Sequence, residues 1–340
     1  MKKLFTVFLT AVLCVLAVAG VACDGCGNEK GDNGKDNASV NYTFYAPDGA
    51  PALSLAKFIS EGQNFDENSK FEYRVVSATD IGGVMQKGTG DFVIIPVNAA
   101  SKLYKANASD PYIMLSVVTH GNLYIMSKGE NTLDALVGKV VGVIGMGNVP
   151  DLTFKAVLKA ANVDYEVSDT PVEGKVALKY FNTASDMIPL LKKGALGIGM
   201  LPEPAATKLT KIAPEYSLAL DLQKLYDAEK SGYPQAVLMV KRSVSANRAL
   251  VEKIANAFAD NVDWVKQNAK KAVEAVNGAL AEGVTPSLSA DAITPEVIEN
   301  CKIFWQSAAS AKAEVKSYLS AIKAIENKSA NDVTDEFFAD

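Results

Sequence analysis

The sequence predicts an α/β protein of two lobes carried behind an export leader, and three observations predict it. Short apolar runs alternate with helical patterns from Asn41 onward. Several, such as Phe92-Val93-Ile94-Ile95, are continuous rather than alternating, as in strands buried on both faces of a parallel sheet. About 300 residues follow Val40, more than one hydrophobic core usually serves. Ahead of them, Lys2 and Lys3 precede a 19-residue apolar run, Leu4 to Ala22, interrupted only by Thr6, Thr10 and Gly20.

Cys23 ends that run. Asp24 to Val40 is rich in Gly, Asn, Asp and Lys and holds no aromatic residue, so it cannot bury enough apolar surface to fold. Val21-Ala22-Cys23 resembles the end of a bacterial lipoprotein signal, whose cysteine is acylated and becomes the new N-terminus; Gly20 stands where a Leu is usual. The resemblance implies a signal peptide over 1–22, lipidation at Cys23, and a flexible tether over 23–40. The tether spans on the order of 20–25 Å and holds the body at the extracytoplasmic face of the cell membrane. The other reading is an uncleaved anchor helix, since 19 apolar residues nearly cross a bilayer.

The composition, 49% hydrophobic and 21% charged, is that of an ordinary globular body. The formal charge of −5 becomes −7 when Lys2 and Lys3 leave with the signal, and no basic stripe invites nucleic acid. Of the four cysteines, Cys14 lies in the leader, Cys23 and Cys26 flank the start of the tether, and Cys301 stands alone in the body. Cys23-Asp24-Gly25-Cys26 has C-x-x-C spacing but lacks the strand and helix of a redox site.

The elements follow in order. Tyr42–Ala46 reads as a strand, Pro47–Pro51 as a turn, and Ala52–Glu61 as a helix with Leu53, Ala56 and Phe58 inward. Phe71–Val76 is a strand, Asp80 caps a helix to Gln86, Asp91–Ile95 is a strand, Asn98 caps a helix to Lys105, and Tyr112–Val118 is a strand. A second unit opens with strand Leu123–Ser127, the short helix Thr132–Val137 and strand Lys139–Ile144. The glycine loop Gly145–Pro150 then leads into helix Asp151–Ala161. Strand Val176–Phe181, helix Ser185–Lys192, strand Leu196–Met200, helix Glu203–Ile212 and strand Gln235–Val240 complete it. Beyond Lys241, Ser245–Asn277 and Glu296–Asn327 read as helices with no further strand, and Trp264 and Trp305 as their packing residues.

Five phrases in this order resemble the bacterial ABC-transporter solute-binding proteins, in the branch for nitrate, sulfonates, taurine and thiamine precursors. They are Ala46-Pro47-Asp48-Gly49-Ala50-Pro51-Ala52 between strand and helix, Asp91 to Asn98, Leu136 to Val143, Leu190 to Gly194, and Met200 to Ala206. The resemblance implies the periplasmic-binding-protein-like type II fold, with two lobes joined by two strands crossing near Thr119–Leu123 and Tyr233–Val237. Lobe 1 is then discontinuous, 41–121 with 238–340, and lobe 2 is 122–237. It further implies a monomer that closes on a small-molecule ligand, needs no cofactor and catalyses nothing. An ABC permease and its ATPase are its partners, and the membrane holds it through Cys23.

In an open parallel sheet, ligands bind beyond the carboxyl ends of the strands. That places the loops Asp48–Pro51, Pro96–Asn98, Gly145–Pro150 and Leu201–Pro204 in one cleft, with Thr119–Asn122 at the hinge. Helices follow three of these loops, and their first-turn N–H groups are free to donate. The expected ligand-facing residues are Asp48, Gly49, Ala50, Pro51, Pro96, Asn98, Thr119, His120, Asn122, Gly145, Met146, Gly147, Asn148, Pro202, Glu203 and Tyr233. Several have a structural alternative. The glycines serve tight turns, Asn98 a helix cap, Asp48 and Glu203 the helix dipole, and His120 and Tyr233 hinge packing. If Asp48 and Glu203 do face the cleft, they favour a cationic or amine-bearing ligand. The four loops contain no Arg or Lys, which disfavours a strongly anionic one.

Gly145-Met146-Gly147-Asn148-Val149-Pro150 lacks the third glycine of a dinucleotide fingerprint. No G-x-S-x-G, H-E-x-x-H or Walker A sequence is present, and a lone histidine makes no His-based metal site. Two alternatives to a transport receptor remain open: an enzyme on the same fold, of the thiamine-pyrimidine or menaquinone-pathway type, and a ligand-sensing lipoprotein.

Overall fold

The computed structural model describes residues 40–229 and 232–339. The signal peptide, Cys23 and nearly all of the tether lie outside the described residues. Strands β1 (Val40–Pro47), β2 (Ser69–Val76), β3 (Phe92–Pro96) and β4 (Tyr112–Thr119) come first. Then follow β5 (Leu123–Ser127), β6 (Val140–Ile144), β7 (Tyr165–Val167), β8 (Val176–Phe181), β9 (Ile198–Pro202) and β10 (Ser217–Asp221); β11 (Ala236–Lys241) and β12 (Ile303–Ser307) return late in the chain. They form two six-stranded sheets, ordered β12-β4-β11-β3-β1-β2 and β10-β5-β9-β6-β8-β7. The chain passes from the first sheet to the second between β4 and β5 and comes back between β10 and β11.

The helices are α1 (Ala56–Glu61), preceded by a 3-10 turn over Ala50–Leu55, α2 (Ile81–Lys87), α3 (Val97–Leu103), α4 (Val149–Ala160), α5 (Ala184–Lys192) and α6 (Ala205–Ile212). After these come α7 (Leu222–Tyr226), α8 (Arg242–Ser245), α9 (Arg248–Gln267), α10 (Ala269–Gly278), α11 (Pro295–Asn300) and α12 (Ala308–Ile325). Their placement follows the strands' alternate residues. Val93, Ile95, Val117 and Met239 of the first sheet and Val141, Val143, Leu178 and Met200 of the second share one core, filled by α2, α3, α4 and α12. Phe44, Phe92, Ile94 and Leu238 face the other way, onto α1, α9, α10 and α11. On the second sheet, Tyr124, Met126 and Leu201 turn toward α5 and α6.

Several expectations are corrected. The sheets are mixed rather than parallel. β1 pairs in parallel with β2 and β3, and β6 with β8 and β9, but β11 and β12 run against the other strands of the first sheet and β5 against those of the second, so that β4 and β10 too have only antiparallel neighbours. Burial on both faces, the observation that predicted parallel strands, holds as well for β4 and β11 because helices cover both sides of these antiparallel strands too. The helix expected over Glu296–Asn327 is broken by β12, so Trp305 is on a strand, stacked 5.3 Å from Phe258. The cause is tertiary: β4 is buried along its whole length and its free edge needs a partner, which Ile303–Ser307 supplies. β7 and β10 are short edge strands with half-exposed side chains and little apolar pattern. Asp80 stands at the start of α2, but its side chain makes no capping hydrogen bond.

Candidate functional site

The loops that follow β3 of the first sheet and β6 of the second meet. Asn98 and Gly147 make the direct contact between them. Asn98 is fully buried, and its Nδ2 donates to the Gly147 carbonyl at 3.5 Å and to the Ser329 carbonyl at 3.2 Å. Two carbonyl acceptors fix the orientation of this amide. Its Oδ1 is left buried without a hydrogen-bond partner among the described residues. Asn98 is no helix cap: α3 starts at Val97 behind Pro96, and Asn98 is the second helical residue. Pro96 fixes the entry, because its ring sets φ near the value a strand-to-helix corner needs.

The opposing loop is shaped from below. Gly145 and Gly147 take φ of 68° and 70°, a left-handed backbone that only glycine adopts cheaply. Asn148 precedes α4 without a side-chain capping hydrogen bond, and Met146 is 62% exposed. Asp151, fully buried on the first turn of α4, is the hub. Its Oδ2 accepts from the Gly147 N–H at 2.8 Å and from Lys155 Nζ at 2.9 Å, and its Oδ1 accepts from the Tyr180 hydroxyl at 2.7 Å. The sequence reading missed Asp151. Its position three residues into a helix start was the available signal, but that position alone does not show which backbone N–H it holds.

Asp48 and Gly49 meet a segment of the same chain. Asp48 Oδ2 accepts from the Ser287 N–H at 2.8 Å, and a Cβ on Gly49 would stand 3.6 Å from the Ser287 hydroxyl oxygen. Burial pushes the Asp48 carboxyl up, against the opposing pull of its hydrogen bonds. Ala50 is buried at the start of the 3-10 turn, where Pro51 occupies the first positions.

Glu203, 1% exposed, turns its carboxylate onto the first turn of α6: Oε1 accepts from Thr207 Oγ1 at 2.7 Å and Oε2 from Thr207 N at 2.9 Å. Burial raises its pKa too, while the Thr207 and Asn300 hydrogen bonds work to lower it. Pro202 ends β9 beside it.

The residues where the chain passes between the sheets brace one another. Thr119 Oγ1 accepts from Ala236 N at 3.1 Å, and Asn122 uses both amide atoms, Nδ2 donating to the Glu203 carbonyl and Oδ1 accepting from Gln235 Nε2, each at 2.9 Å. His120 turns away from the loops. Its Nε2 is 2.8 Å from Glu314 Oε1 on α12, and Gly232 packs so close that a Cβ there would collide with the His120 carbonyl. Tyr233 is also turned away: it is fully buried and stacks on Tyr318 at 5.4 Å. Burial drives its phenol far above the ordinary range.

Among the described residues, no group of three or more His, Cys, Asp or Glu side chains is placed to hold a metal ion. None of their helices is long and apolar enough to cross a membrane.

Solved structures share this architecture. A crystal structure of an ABC transporter from Parabacteroides distasonis superposes with a TM-score of 0.72 at 22% identity, over 89% of this chain and 99% of that one. The periplasmic aliphatic sulphonate-binding protein of Escherichia coli gives 0.62 at 12%, over 86% and 89%. A zinc-bound ligand-binding component of an ABC-type import system from Staphylococcus aureus gives 0.58 at 10%, over 88% and 96%. The chain has the periplasmic-binding-protein-like fold. No protein-family model and no curated protein matches it in sequence.

Proposed function

We propose that this chain is the extracytoplasmic solute-binding lipoprotein of an ABC importer, holding one small molecule unchanged between its lobes. The observation that supports the reading is the contact of Asn98 with Gly147, which joins strand-end loops of the two sheets. In this reading lobe 1 is 41–121 with 238–340 and lobe 2 is 122–237. Asp48, Gly49, Asn98, Met146, Gly147 and Glu203 line the cleft, Cys23 carries the lipid, and a permease with its ATPase reads the closed form of a monomer. The fold neighbours, import components among them, support it.

Ligand that touches both lobes favours the closed form by its differential affinity for that form. The four loops bring no Arg or Lys, and Asp48 and Glu203 put two buried carboxyls at their ends. The solute is therefore neutral or amine-bearing rather than a free sulfonate. Native mass spectrometry of freshly purified protein tests for a retained small molecule. A thermal-shift panel of pyrimidines, flavins, amines, sulfonates, nitrate and aromatic acids identifies its class: a solute at 100 times its Kd adds about 2.7 kcal/mol. Stabilisation by nothing in the panel together with an empty protein would overturn the reading. Mass spectrometry of the mature N-terminus tests Cys23, and an intact Met1 would end the lipidation claim.

A further inference from the structure

The two lobes touch along two lines of opposite chemistry. On one face of both sheets, α4 from the second lobe lies against α12 from the first. Leu152, Phe154, Val157, Val315, Leu319 and Ile322 belong to one continuous apolar core that also holds residues of both sheets. Thr153 on α4 and Tyr318 on α12 share a buried hydrogen bond of 2.7 Å between their hydroxyls. Tyr318 in turn stacks on Tyr233, and Tyr226 packs edge-on against both rings at 5.4 and 5.6 Å.

On the opposite face the chain from Ala281 to Asn300 spans the gap. It is rooted in the first lobe: the Ala281 N–H donates to the Val75 carbonyl at 2.8 Å, and Leu288, Ile293, Val297 and Ile298 enter that lobe's second core. Its reach to the second lobe is polar. Lys211 Nζ on α6 donates to the Ala292 carbonyl at 3.0 Å and to the Asp291 carbonyl at 3.4 Å, the Tyr124 hydroxyl meets the Asn300 carbonyl at 3.5 Å, and the Asn300 side chain bonds to Glu203.

We infer that the α4–α12 seam is the pivot of interlobe motion and that Ala281–Asn300 is a releasable strap whose contacts with α6 and β5 let go when the cleft opens. The inference rests on the solute-binding reading for its purpose. Its physical ground is separate. Parting the seam exposes a continuous apolar surface, whereas water replaces the contacts of the exposed Lys211 with little net loss.

Hydrogen exchange on the full chain, with no solute added, tests it. Amides of α4 and α12 are expected to exchange at least about ten times more slowly than those of 284–300. Lys211→Ala combined with Asn300→Ala should speed exchange over 284–300 about three-fold or more, leave α4 and α12 unchanged, and raise the radius of gyration in solution scattering. Tyr318→Phe, which keeps the ring and removes the hydroxyl, should speed exchange in α4 and α12 and spare the strap. The inference is overturned if α4 and α12 exchange as fast as the strap. It is also overturned if the strap variant frays 284–300 with no change in radius of gyration, or changes neither. Since no solute enters the measurement, failure here is distinct from failure of the solute-binding reading, which the retained-ligand experiment decides.

Discussion

The α4–α12 seam is built of aromatic and aliphatic side chains around a buried hydroxyl pair, whereas the 281–300 segment meets α6 and β5 through an exposed lysine on backbone carbonyls and through Asn300. The difference teaches which contact between packed elements should hold its geometry and which should yield. Apolar burial is lost in proportion to the area exposed, so the seam resists separation throughout. A charged hydrogen bond at a wet edge exchanges one partner for water at little net cost.

Variants should separate the two in order of size. Tyr318→Ala removes a fully buried ring from the seam and is expected to cost about 3–5 kcal/mol in chemical denaturation, enough to threaten folding. Asp151→Ala leaves the buried Lys155 ammonium without its carboxylate and frees the Gly147 N–H. A loss of about 3 kcal/mol is expected, with faster exchange at Gly147. Thr153→Val keeps the shape but orphans the Tyr318 hydroxyl, for about 1–3 kcal/mol. Lys211→Ala alone should fall within about 0.5 kcal/mol while still loosening the strap.

Glu203→Gln adds a pH test. The folded carboxyl is raised above its ordinary value, so the native state binds the proton more tightly than the unfolded chain does. Its contribution to stability is therefore present below the unfolded pKa and is lost as pH rises through the folded one. The variant should flatten that decline in thermal melts taken from the ordinary glutamate range upward. An unchanged pH profile would show that Glu203 titrates normally.

The sequence carried far into the fold but unevenly into the cleft. Continuous runs such as Phe92–Ile95 and Leu123–Ser127 announced strands because their burial is written in consecutive residues. β12 was not legible, because Ile303–Ser307 is a strand only through the open edge of β4. Among the cleft residues, Gly145 and Gly147 could be read as a turn, since the φ they adopt is nearly exclusive to glycine. Ser287 and Ser329 could not be read at all: they reach Asp48 and Asn98 from 239 and 231 residues away.

By itself the sequence determined the alternation of strands and helices, the two sheets, and the four strand-end loops, because local periodicity and glycine and proline chemistry act over a few residues. Tertiary structure alone decided that β5, β11 and β12 run against the other strands of their sheets, that Asn98 reaches a loop of the second sheet, that His120 turns to α12, and that α4 meets α12 through apolar side chains while α6 meets the 281–300 segment through a lysine. Those outcomes depend on which distant groups need a partner once the sheets have packed, a requirement that no stretch of neighbouring residues encodes.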